Sequence, residues 1–118
     1  MITGMHAIIY STDPDADRAF LRDVLKFPHV DAGEGWLIFG LPPSELAVHP
    51  SDLNDRQELF LMCADIQAFI QEMAWSGTAL SPIQHLSWGR LVYITLPGGS
   101  RLGVYQPTHP RPQPPDPS

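Results

Sequence analysis

The feature that most constrains the fold of this chain is an internal repeat. The stretch HAIIYSTDPDADRAFL at 6–21 aligns with ELFLMCADIQAFIQEM at 58–73. Each copy has a titratable residue, a short run that can alternate along a strand, an aspartate seven residues after the first, and then apolar residues at helical spacing. Asp13 and Asp65 are therefore predicted to cap two equivalent helices.

The helix predictions rest on local signals at both ends of each segment. Pro14 suits a first helical position because its missing N–H would be unpaired there in any case. Gly77 follows the second apolar run, as a glycine commonly does where a helix ends. The predicted buried stripes are Phe20, Leu21, Val24 and Leu25 on the first helix, and Ile66, Phe69, Ile70, Met73 and Ala74 on the second.

Three short strand-like runs follow each helix. They are HVDA, GWLIFG and ELAVH in the first half, and SPIQHLS, RLVYITL and RLGVY in the second, where Pro97-Gly98-Gly99 supplies a tight turn. The pattern predicts an α+β fold in which two βαβββ repeats, at about 5–50 and 57–107, form an incomplete eight-stranded barrel-like cup. One domain over 1–107 is expected, with polar residues inside the cup either functional or hydrogen-bonded.

Composition excludes several classes of partner. The net charge of −6 and a pI near 5.1 disfavour nucleic acid and anionic membrane surfaces, and no run reaches the roughly twenty apolar residues of a membrane span. Cys63 is the single cysteine, and the first ten residues lack the features of a signal peptide, so a reducing cytoplasm is expected. The proline-rich residues 108–118 are predicted to be a solvated tail, with a docking motif as the alternative.

The duplicated plan resembles the vicinal oxygen chelate superfamily, which includes glyoxalase I, bleomycin-resistance proteins and extradiol dioxygenases. The resemblance spans His6 to Pro107. It is carried by HAIIYSTDPDADRAFLRDVLKF, which looks like the opening strand and helix, and by WGRLVYITLPGGSRLGVYQP, which is similar to the closing hairpin.

In metal-using members, the resemblance implies a divalent cation held by residues of the first and last strands of each repeat. His6 and Glu58 match the two opening positions. Gly103 stands where the family usually has glutamate, and Ala47 occupies the equivalent position of the first repeat. Because side chains alternate along a strand, His49 shares a face with Ala47 and could substitute as a ligand.

Two histidines and a carboxylate would suit Zn(II), Ni(II), Mn(II) or Fe(II) and a substrate with vicinal oxygens, with Glu58 as an alternative catalytic base. Each residue also has a plainer interpretation. His6 fits a strand rim, His49 a strand ending at proline, and Glu58 a solvated strand start. Candidates for a substrate pocket are Tyr10, Trp88, Arg90, Tyr93 and Tyr105, for which core packing or surface charge is the alternative.

Three hypotheses about function remain open at the level of sequence. The protein binds a small molecule either as a metal-dependent lyase, isomerase or dioxygenase, or as a metal-free protein that sequesters an aromatic or cationic compound, as bleomycin-resistance proteins do. A non-catalytic interaction domain is the third hypothesis. The resemblance further implies a homodimer.

Overall fold

The structure, a computed structural model, describes residues 6–44, 47, 49–50, 52–55 and 57–110. Within these ranges the chain forms two helices and two β-sheets. In chain order the elements are α1 (Pro14–Asp23), β1 (His29–Asp31), β2 (Leu37–Phe39), β3 (Phe60–Met62), α2 (Ile66–Trp75), β4 (Gln84–Leu86), β5 (Gly89–Thr95) and β6 (Arg101–Pro107).

Both predicted helix starts are confirmed. The Asp13 carboxylate accepts a hydrogen bond from the Ala16 N–H at 3.4 Å, and Pro14 is the first residue of α1. The Asp65 carboxylate accepts from the N–H groups of Gln67 and Ala68 at 3.0 and 3.3 Å. These bonds satisfy amide groups that have no carbonyl partner in the first turn, so each aspartate fixes where its helix begins.

The second half of the chain forms the predicted unit of one strand, a helix and three strands. Its four-stranded sheet has the order β3-β6-β5-β4, in which β3 runs parallel to β6 and the other neighbours are antiparallel. The turn between β5 and β6 is closed by a bond from the Leu96 N–H to the Ser100 carbonyl at 2.8 Å. Gly99 has φ +99° in this turn, a conformation that glycine adopts without strain.

The first half departs from the expected pattern. After α1 it forms a two-stranded antiparallel sheet, with Val30 paired to Ile38. Residues 6–11, where an opening strand was predicted, belong to no helix or strand, and Ile8 and Tyr10 are 63% and 85% exposed. The predicted strand ELAVH lies partly outside the described residues, and Ala47 and His49 are not in a strand. The eight-stranded cup is therefore not confirmed.

One core joins the two helices to one face of the four-stranded sheet. Phe20 of α1 and Ile66 and Met73 of α2 pack against alternate residues of the central strands, namely Val92 and Ile94 of β5 and Leu102 and Val104 of β6. Strand alternation places Leu91, Tyr93, Gly103 and Tyr105 on the opposite face. The predicted stripes hold in this core except at Ala74, which is exposed because it lies off the packed face of α2.

Neither described helix is long and apolar enough to cross a membrane.

Candidate ligand-binding site

The face of the four-stranded sheet that lies away from the helices carries a concentration of aromatic side chains. The register places Phe60 beside Gly103, and Gly103 beside Tyr93. Tyr105 lies between Met62 and Leu91 in the same way. Residues that are distant in the chain therefore meet on one surface, which is called the aromatic face below.

Three rings on the aromatic face contact one another edge to face. The ring centroids of Trp88 and Tyr105 are 5.0 Å apart, and the ring centroid of Phe60 lies 5.9 Å from each of them. The interplanar angles run from 62° to 85°, the arrangement in which the positive edge of one ring meets the negative face of another. All three side chains are half-buried, so the cluster keeps accessible apolar surface.

Gly103 allows the Phe60 ring to lie close to the strand. A Cβ atom at position 103 would lie 2.5 and 2.7 Å from two carbons of the Phe60 ring and 3.3 Å from Cε1 of Tyr93. No side chain fits there while Phe60 keeps its place. The position where the resemblance implies a metal-binding glutamate is thus occupied by a phenyl ring, which offers no ligand atom to a cation.

The three predicted metal ligands do not come together as a metal site in the described part of the chain. His6, His49 and Glu58 are all exposed. Across residues 6–44 and the described parts beyond them, no group of three or more His, Cys, Asp or Glu side chains is placed to hold a metal ion. The residues on the aromatic face do not fit a metal centre, and the roles of His6, His49 and Glu58 remain predictions.

The predicted pocket residues separate into two groups. Trp88, Tyr93 and Tyr105 meet on the aromatic face. Arg90 belongs to the alternate set of β5 residues and donates a hydrogen bond to the Leu86 carbonyl at 3.3 Å. Tyr10 instead lines a shallow groove of about 400 Å³ with Ser11, Thr12 and the turn Gly98–Ser100.

A buried carboxylate anchors that turn to α1. Asp17 is 5% exposed, and its Oδ1 accepts a hydrogen bond from the Gly98 N–H at 2.7 Å. Its buried Oδ2 has no hydrogen-bond partner among the residues that the structure describes. The helix start and the β5–β6 turn are thereby held together by residues that are distant in the sequence.

The start of the proline-rich segment borders the aromatic face. The Thr108 N–H donates to the Trp88 carbonyl at 3.0 Å, and the Tyr105 hydroxyl lies 3.0 Å from Nε2 of His109. Nδ1 of His109 lies 2.8 Å from the Pro110 carbonyl, which can only accept. In the neutral imidazole Nδ1 therefore carries the proton, and the Tyr105 hydroxyl donates to Nε2.

Sequence reasoning missed Phe60 and His109 as members of this site. The available signal for Phe60 was its alternation with Met62 on a strand with one exposed face. For His109 the proline-rich composition favoured a solvated segment, and nothing in it indicated a bond to Tyr105.

Cys63 lies at the edge of the sheet beside the site. It lines a groove of about 280 Å³ with Met62, Ala64, Gln106 and Pro107. Burial, and secondly the charge of Asp65, raise the pKa of the Cys63 thiol above its ordinary value. A thiol held in its neutral form is a poor nucleophile.

Solved structures show which known proteins share this architecture. The chain is similar to TnmS3, an antibiotic binding protein from Streptomyces sp. CB03234, with 19% identity over 92% of this chain and 99% of that one and a TM-score of 0.65. A lactoylglutathione lyase from Agrobacterium tumefaciens matches with 18% identity over 88% and 92% of the two chains and a TM-score of 0.66. A glyoxalase/bleomycin resistance protein from the same Streptomyces matches with 18% identity over 81% and 93% and a TM-score of 0.52.

The chain has the glyoxalase/bleomycin resistance fold. This finding is consistent with the vicinal oxygen chelate superfamily that the repeat and the closing hairpin resemble. No known family model and no curated protein matches the chain. Because the identities are below 25%, the similarity establishes the fold, and the chemistry has to be argued from the side chains.

Proposed function

We propose that this protein binds a flat aromatic small molecule on the aromatic face and does so without a metal ion. The observation that carries the proposal is the packing of the Phe60 ring over Gly103. At the position where a metal-binding side chain is expected, the Phe60 ring provides an apolar surface. This surface extends through Tyr105 and Trp88. Stacking and apolar contact are the interactions that such a surface offers to a ligand.

The antibiotic-binding neighbour supports the same hypothesis by analogy of fold. TnmS3 is described as a binding protein, which shows that this fold is used for binding. The lyase among the neighbours shares the fold equally well, so the choice between binding and catalysis rests on the side chains of this chain.

Binding is tested with 2-naphthol as a neutral aromatic probe and with Trp88 as the reporter. In a variant with Trp36→Phe and Trp75→Phe, Trp88 is the sole remaining tryptophan. We expect 2-naphthol to change its emission and to raise the melting temperature, since a ligand at a hundred times its Kd stabilises the folded state by about 2.7 kcal/mol. A variant with Phe60→Ala should bind more weakly, whereas Leu41→Ala, at an exposed position outside the aromatic face, serves as the matched control.

A metal-dependent activity at His6, His49 and Glu58 is the competing hypothesis. Elemental analysis of the purified protein, followed by thermal melts with added Zn(II), Ni(II), Mn(II) or Fe(II), separates the two. We expect no stoichiometric metal and no specific stabilisation. A rise in melting temperature that His6→Ala and Glu58→Gln both abolish would overturn the metal-free proposal and support Glu58 as a ligand or catalytic base.

We also propose that the protein is a homodimer in the cytoplasm, and that the second subunit encloses the ligand on the side opposite the aromatic face. Large apolar residues of the first half are exposed, among them Val30 at 65%, Trp36 at 67% and Ile38 at 43%. An apolar surface of this kind is stabilised when a second copy covers it. Analytical ultracentrifugation should show a dimer, and Ile38→Asp should shift it towards the monomer. A wild-type protein that is monomeric at micromolar concentration would contradict this part of the proposal.

A further inference from the structure

Within the four strands of the sheet, the charged side chain on the aromatic face is a cation. The four strands of the sheet contain no aspartate or glutamate. By strand alternation Arg101 lies on the aromatic face with Gly103 and Tyr105, whereas Arg90 and its partner His85 belong to the alternate set. A ligand on this face therefore meets a cationic side chain and no strand carboxylate.

The Arg101 side chain is exposed and positioned over an aromatic ring. Its guanidinium carbon lies 4.2 Å from the centroid of the Tyr93 ring, within the range of a cation–π contact. In the described part of the chain Arg101 has no ion pair, whereas Arg18 and Arg22 each pair with an aspartate. Stacking fixes the plane of the guanidinium and leaves its N–H donors available to an anion.

The spacing of residues on β6 allows one molecule to contact both the Phe60 ring and the Arg101 guanidinium. Arg101 and Gly103 are two positions apart on the same face, which is about 7 Å at the rise of a strand. The Phe60 ring lies over Gly103. A bicyclic ring system placed against Phe60 and Tyr93 would thus bring a carboxylate on its edge to the guanidinium of Arg101.

We propose that the ligand of the aromatic face is an aromatic anion, with its rings against Phe60 and Tyr93 and its acidic group on Arg101; the inference rests on the proposed function of this face. An aromatic cation would meet the like charge of Arg101 and gain no partner among the strands. The net charge of −6 repels anions at long range, but charges beyond about 8–10 Å are largely screened at physiological salt. The adjacent guanidinium therefore decides the preference.

The test compares probes that share one ring system and differ in charge. Calorimetry with 2-naphthoate, 2-naphthamide and 2-(aminomethyl)naphthalene should give the acid at least about tenfold tighter binding than the amide, and the amine the weakest binding; tenfold corresponds to about 1.4 kcal/mol. Arg101→Gln should reduce the affinity for the acid to that for the amide and leave the affinity for the amide unchanged. Arg101→Lys should retain part of the preference, because it keeps the charge and loses the planar fork.

Arg18→Gln is the matched control, since the Arg18 guanidinium also lies over an aromatic ring, at 5.1 Å from that of Trp36. It should change none of the three affinities. Equal binding of acid and amide to the wild-type protein would overturn the inference about Arg101 and leave the proposed function standing. An equal loss of acid and amide affinity in Arg101→Gln would also overturn it, because Arg101 would then act only by packing on Tyr93. If none of the probes bound, the proposed function itself would fail.

Discussion

Replacing Gly103 with alanine tests the close packing on which the aromatic face depends. The new Cβ would lie 2.5 Å from Cδ1 of Phe60, where ordinary contact begins near 3.4 Å. The Phe60 ring, which packs against Trp88 and Tyr105, would have to move by roughly 1 Å. Overpacking of this kind costs about 1–3 kcal/mol, against a gain of about 0.5–1 kcal/mol from removing a glycine from a strand.

The net expectation is a loss of about 1 kcal/mol in the free energy of unfolding, the difference between the middles of these two ranges. In urea denaturation followed by tryptophan fluorescence, this corresponds to a midpoint lower by on the order of 1 M, with an unchanged slope. Gly40→Ala is the control, because its Cβ would meet Pro28 at 3.4 Å, an ordinary contact, and it should stay within about 0.5 kcal/mol of wild type.

A double-mutant cycle identifies the clash as the cause. In a Phe60→Ala background the two shortest contacts of the new Cβ are removed and the 3.3 Å contact with Cε1 of Tyr93 remains, so Gly103→Ala should become close to neutral. A Gly103→Ala variant that is as stable as wild type, or a loss that persists without the Phe60 ring, would refute the packing described here.

Three further perturbations probe the surrounding fold. Asp65→Ala removes the cap of α2 and should lower the free energy of unfolding by about 1 kcal/mol in thermal melts followed by circular dichroism, whereas Asp65→Asn should retain most of it. Asp17→Ala leaves the partly buried N–H of Gly98 without its acceptor and should cost about 1–2 kcal/mol, while Asp17→Asn keeps an acceptor and should cost less; equal losses in denaturant melts would contradict the role of this bond. Because the pKa of the Cys63 thiol is raised above 9.0, its alkylation by iodoacetamide at pH 8.5 should be slower in the folded protein than in urea. Equal alkylation rates in the folded and the unfolded protein would contradict a raised pKa. Because the folded state holds the thiol proton more tightly, its contribution to the free energy of unfolding is complete below the pKa of the unfolded state and is lost as the pH rises through the pKa of the folded state.

The sequence was most informative where structure depends on neighbouring residues. Asp13, Asp65 and Gly99 act within a few residues of their own positions, so the helix starts and the β5–β6 turn could be predicted. The strand expected at 6–11 was predicted from alternation alone, and alternation does not show which strand is available to pair with it.

The site was harder to predict because it depends on pairing between distant segments. Trp88, Tyr93 and Tyr105 were identified as candidate pocket residues by their type and their place near the closing hairpin. Phe60 became part of the site through the register of β3 against β6, which no local pattern specifies. Gly103 was interpreted as a missing ligand, and only the structure shows that its small size admits the ring beside it.

The parallel pairing of β3 with β6 has a consequence for the order in which the protein assembles. The β5–β6 hairpin closes over a short turn, whereas β3 can join only once the ends of a long intervening segment meet. β3 has three residues and lies at the edge of its sheet, so it is expected to dock late and to detach early in native fluctuations. Phe60 belongs to that strand, so the ligand surface is expected to be lost whenever β3 detaches.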